Sequence, residues 1–316
     1  MTTEAAAPEL SCYTAALLPY LETERPGIHA EFAAAVRLAV RTDPAEGGMA
    51  FSHHTRIDVD AHGTGLVHRS AADWERARAA LSEEAGRRGR VIAVGNTRHL
   101  PWSPAYGGTE TPHWLLVEPL TDGRWAVHDP FQALTPHGPH APWAGTLTDA
   151  ELRTALTPPT ALSAQAANRD RYALGEEGSP AQARHYRWLE RARAVRPPAD
   201  EGRWVTGASA LRHVAERVCH DPQALAAHAD DLWTAARHQR YRLTAPGTRA
   251  GTRQAVGRAA AAWAELPRAA RFATASAARG RPRPAVVERA FTELLEAVRA
   301  LETTAPSHTK DLSHEH

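Results

Sequence analysis

Three residues have types and surroundings suited to nucleophilic chemistry. Cys12 follows Ser11 at the start of a predicted helix over residues 12–23. A helix N-terminus carries about half a positive charge, which favours a thiolate. His113 opens a predicted buried strand (HWLLV), fixed by its backbone yet open at one end, as suits a general base. Asp129 closes a second strand, residues 124–129, just before Pro130. A carboxylate there can accept the hydrogen bond of the far ring nitrogen and fix the histidine tautomer. Singly, each has an ordinary reading: a small core residue, a satisfied histidine, an Asp-Pro turn. Together they predict a cysteine nucleophile, a histidine base and an orienting aspartate.

Whether His113 and Asp129 meet depends on the turn between their strands. With a two-residue loop, Asp122-Gly123, Asp129 would face Leu116 and point away from His113. With a three-residue loop, Thr121-Asp122-Gly123, and Gly123 left-handed, Leu120 faces Arg124 and Asp129 faces Leu115. His113 and Asp129 then share a sheet face, one diagonal step apart, about 7–8 Å between backbones. The three-residue loop is predicted.

The elements around these residues change character near residue 150. Before it, the predicted helices cover residues 12–23, interrupted at Pro19, 31–42 and 71–87. The predicted strands cover residues 49–60, 91–94, 113–120 and 124–129. After it the pattern is almost wholly helical, with helices near residues 181–195, 208–219, 222–238, 252–266 and 284–302. The expected organisation is α+β: a catalytic domain with antiparallel sheet over 1–148, a helical domain over 149–302 and a disordered tail over 303–316.

Composition removes several function classes. The chain has 316 residues, is 43% hydrophobic and 23% charged, and has a formal net charge of +1. That charge gives no electrostatic footprint for nucleic acid or an acidic membrane. No apolar run approaches the roughly 20 residues that span a bilayer, and residues 1–10 lack the pattern of a signal peptide. A cytoplasmic location is expected. There the two cysteines, Cys12 and Cys219, remain unpaired. Cys219 follows Leu211, Val214 and Val218 on a predicted helix and reads as a structural thiol.

Eighteen histidines raise the question of a metal. The tightest groups are His53-His54, His137 with His140, and His314 with His316, none at i, i+4 spacing beside a carboxylate. No metal and no cofactor are expected. Trp102, in a Pro-rich loop, could line a pocket, with Tyr106 and Trp114 nearby. Trp114 reads first as core. The arginine-rich C-terminal helices read as solvated faces, or as a docking surface for an acidic carrier protein.

Four stretches carry a resemblance: residues 11–17 (SCYTAAL), 100–106 (LPWSPAY), 112–117 (PHWLLV) and 127–130 (VHDP). In order and spacing they resemble the N-terminal domain of the butirosin biosynthesis protein H family, a papain-like fold related to double-glycine peptidases. The helical half is similar in pattern to the domain that often follows it. The resemblance implies an acyl- or aminoacyltransferase of specialised (antibiotic) metabolism. Such an enzyme moves an acyl group from a carrier-protein thioester to a small-molecule amine through Cys12, His113 and Asp129. One departure concerns the oxyanion hole. No glutamine precedes Cys12, so its backbone N–H is one donor, and Ser11 and Asn96 are candidates for the second. Two alternatives stand beside transfer: hydrolysis, as a peptidase or thioesterase, and a non-catalytic binding protein on the same fold.

Overall fold

The structure, a computed structural model, describes residues 9–43, 48–178, 182–193, 202–246 and 251–304. In chain order its elements are α1 (Cys12–Glu22), α2 (Ile28–Ala35), β1 (Val36–Arg41), β2 (Ala50–His54), β3 (Thr64–Ala71), α3 (Trp74–Arg88), β4 (Val91–Asn96), β5 (Pro112–Pro119), β6 (Arg124–Asp129), β7 (Ala133–Thr135), β8 (Gly138–His140), β9 (Trp143–Thr148), α4 (Asp149–Ala155), α5 (Ala164–Arg171), β10 (Tyr186–Arg193), β11 (Trp204–Thr206), α6 (Gly207–Val218), α7 (Pro222–Thr244), α8 (Arg253–Ala278) and α9 (Pro284–Thr304). The expected mixture is present: helices with antiparallel sheet, then helices alone. No helix among the described residues is long and apolar enough to cross a membrane.

A six-stranded antiparallel sheet, order β3-β10-β4-β5-β6-β9, carries the N-terminal unit. β4 is buried along its length, which requires cover on both faces. On one face Val91, Ala93, Leu115, Val117 and Val127 join Trp74, Ala77 and Leu81 of α3 in a single core. The next residue along, Trp114, turns the other way and meets Tyr13 of α1 edge-on at 6.1 Å. Helix α1 continues through Pro19 without a break. Proline removes one helix hydrogen bond, but burial of Tyr13, Ala16, Leu17, Leu18 and Leu21 outweighs that loss.

Other expectations are corrected as well. Residues 31–42 do not form one helix: α2 ends at Ala35 and β1 follows. A short apolar run fits both periods, and here pairing with β2 and β11 decides it. Residues 181–195 are not helical where described. β10 lies inside the sheet, paired with β3 over its eight residues and with β4 through Arg187 and Trp188. Its leucine, glutamate and three arginines favour helix locally, and sheet pairing overrides them. The compact units therefore divide between Thr206 and Gly207, not at residue 148.

The second unit, residues 207–316, packs α8 between α7 and α9, with α6 against both α7 and α9. Leu211, Leu232, Trp263, Leu266, Phe291 and Leu294 are buried in it. α8 passes its expected end at Leu266 and continues through Pro267, α7 passes its expected end at His238, and α9 reaches Thr304, past the expected start of the tail. Residues 305–316, with His314 and His316, lie outside the described residues.

Candidate active site

The β5–β6 turn sets the site. Residues Thr121–Gly123 form a three-residue loop with Asp122 and Gly123 both at positive φ, 62° and 68°. The Leu120 N–H donates to the Arg124 carbonyl at 2.8 Å. The strands pair Pro119 with Trp125, Val117 with Val127 and Leu116 with His128. Continued by one step, this register sets Leu115 across from Asp129, so Asp129 shares a face with His113, as the three-residue loop predicts. His113 Nε2 lies 2.8 Å from Asp129 Oδ2.

Cys12 is the first residue of α1, partly exposed, with Ser11 as N-cap. It lies close enough to His113 to favour the protonated imidazole. Because Nε2 of His113 faces Asp129, Nδ1 is the ring nitrogen left for Cys12. The N-terminal end of α1 and the start of β5 are held together one residue further along, by Tyr13 against Trp114.

The charged groups of the site are buried. His113 is 3% exposed and Asp129 fully buried. Burial by itself would lower the pKa of His113. The Asp129 charge and hydrogen bond, and then Cys12, outweigh burial and hold the imidazolium well above the ordinary histidine range. Burial would likewise raise Asp129, but the His113 charge and the N–H groups of His113 and His140 hold its carboxyl well below the usual carboxylate range. Both partners are therefore charged at neutral pH.

Asp129 is held by more than His113. Its Oδ2 also accepts from Trp102 Nε1 at 2.8 Å and lies 2.9 Å from His140 Nε2, while Oδ1 accepts from the Phe131 N–H at 3.1 Å. Trp102 is fixed in turn by Trp143, whose ring stacks on it at 3.7 Å, 1° from parallel. Trp143 pairs with Asp129 across β6–β9, so the indole stack stands beside the carboxylate. Gly145 makes this possible, since a Cβ there would overlap the Trp143 ring.

No protein-family model matches the chain, and no curated protein matches it.

The structure brings Cys12, His113, Asp129 and Trp102 together. Of the other expected site residues, Trp114 is core, 1% exposed, with its Nε1 donating to Asp170 at 3.2 Å. Tyr106 is 60% exposed. Ser11 directs its hydroxyl to Thr14 Oγ1 at 2.9 Å. Asn96, fully buried, accepts from the Arg98 N–H and reaches Glu110, so its amide serves the 97–111 loop. His140, Phe131 and Trp143 were not singled out as site residues in the sequence. Their signal was faint: a Pro- and Gly-punctuated stretch after the Asp-Pro step, in which His140 stood out only beside His137. His113, Asp129 and His140 form a group whose ligand atoms lie within 4.8 Å of one another and could hold a metal ion. In this structure both imidazoles direct Nε2 to Asp129 instead.

Proposed function

We propose that the protein is a cysteine-dependent acyl- or aminoacyltransferase on a papain-like fold. It takes an acyl group from a carrier-protein thioester and makes an amide with a small-molecule amine in specialised metabolism. The observation that carries the reading is His113 engaged at both ends, with Cys12 on one side and Asp129 on the other. The chemistry follows from those contacts. Cys12 as thiolate attacks the thioester carbonyl. The carrier sulfur leaves and takes the proton of the His113 imidazolium, giving an acyl-enzyme and neutral His113. The amine then attacks the acyl carbon and gives its proton to His113, and the Cys12 thiolate departs as the amide forms. Asp129 stabilises the imidazolium at the start and end of this cycle. Thioester and thioester exchange at nearly equal energy, and the amide makes the second step downhill.

Transfer of radiolabel from an acyl-loaded carrier protein to an amine tests the proposal. Label should reach the amine with the native protein and stay on the carrier with Cys12→Ala; transfer retained in Cys12→Ala refutes it. Release as free acid that added amines do not divert identifies a hydrolase. An unlabelled Cys12 points to the binding-protein alternative.

A further inference from the structure

His140 lies outside the Cys12, His113 and Asp129 chain, yet it is as deeply buried as His113 and bonds the same atom. Oδ2 of Asp129 takes three nitrogens at 2.8–2.9 Å: His113 Nε2, His140 Nε2 and Trp102 Nε1. An ionised carboxylate only accepts, so each histidine must carry its proton on Nε2 to bond it. The two imidazoles lie nearly layered, 5.1 Å between centroids and 27° between planes. Phe131 closes edge-on against both, at 5.3 and 5.1 Å. β8 therefore presents a second histidine to a carboxylate that already has its catalytic partner.

We propose that His140 is a positioning residue. Its N–H fixes the rotation of the Asp129 carboxylate so that Oδ2 stays on His113 Nε2, which leaves His113 Nδ1 facing Cys12. Trp102 and the Phe131 N–H hold the same carboxylate, one on each oxygen. Only His140 lies layered with His113 as well, so it fixes the ring together with the acceptor. Its catalytic meaning rests on the transferase reading, but its structural action on His113 does not.

Two measurements on the full chain test this. The first is the titration of the His113 ring by long-range proton–nitrogen NMR of histidine-labelled protein. The second is the rate of Cys12 carbamidomethylation near pH 6.5. His140→Leu removes the donor, and His140→Gln keeps an N–H of similar reach. Loss of the donor should lower the His113 titration midpoint by about one pH unit and slow Cys12 labelling about tenfold. The glutamine variant should restore both to within about twofold. If the leucine variant does not fold, His140→Asn, whose amide stops short of Asp129, takes its place.

An unchanged His113 titration overturns the inference. So does a rise, which would mean that His140 competes with His113 for Oδ2 rather than holding it in place. A glutamine variant as impaired as leucine shows that ring shape alone matters and also overturns it. If native Cys12 labels no faster than in His113→Ala, the transferase reading falls, while the His113 titration still decides the role of His140.

Discussion

Replacing Asp129 by asparagine should be far from conservative, and the geometry says by how much. Three nitrogens converge on Oδ2 and one backbone N–H on Oδ1. Asparagine offers one acceptor oxygen and one NH2 group. If its oxygen takes the Oδ2 place, NH2 faces the Phe131 N–H; if it flips, NH2 faces three donors. Either way a buried donor is stranded, and the charge that pairs with His113 is gone. A stranded donor costs about 1–3 kcal/mol, and breaking a buried ion pair from one side costs about 3–5 kcal/mol. The two overlap, so the expected loss at pH 7 is about 3–5 kcal/mol. Its pH dependence follows from the depressed carboxyl. The native advantage is fully present above the unfolded carboxyl pKa, about 3.9, and is lost as pH falls through the lower folded value. Urea unfolding of both proteins at pH 7 and over an acid series reads this directly. A gap under about 1 kcal/mol at pH 7, or one that does not narrow below about pH 3.9, would refute the reasoning.

Two further predictions follow from the packing. Gly145→Val should displace Trp143 from Trp102, cost about 1–3 kcal/mol of overpacking and abolish the near-ultraviolet dichroism of the stacked indoles; an unaltered indole couplet would contradict it. A fragment ending at residue 148 should fail to fold cooperatively, because β10 is missing from between β3 and β4, whereas a fragment ending at residue 206 should melt as a unit. A soluble, cooperatively melting 1–148 fragment would show that the sheet does not need its inserted strand.

The β5–β6 hairpin was legible because its two ends carry strong local signals. Gly123 invites a positive φ, and the alternation of His113, Leu115 and Val117 fixes the face once the loop length is chosen. Cys12 was legible because a helix start and a cysteine coincide there. Other parts were not legible because the deciding partners lie far away in sequence. Val36 to Arg41 becomes a strand only against residues 50–54 and 204–206. Tyr186 to Arg193 becomes one only against β3 and β4, about a hundred residues earlier. His140 reaches Asp129 through the short β7–β8 hairpin, whose three-residue strands leave almost no periodicity to read. Asn96 looked available because its residue type suits an oxyanion donor, and only the tertiary contact with Glu110 shows where its amide goes.

The inserted strand also orders events in time. Ribosomes add about 5–20 residues per second, so roughly 3–13 s separate the emergence of Asp129 from that of Arg193 at the end of β10. Throughout that interval Cys12, His113 and Asp129 have all been made, yet β3 and β4 each present an edge awaiting the same late strand. The residues of the candidate site therefore precede the strand that joins β3 to the rest of the sheet, and anything that stalls translation in that interval leaves the edges of β3 and β4 exposed in the nascent chain.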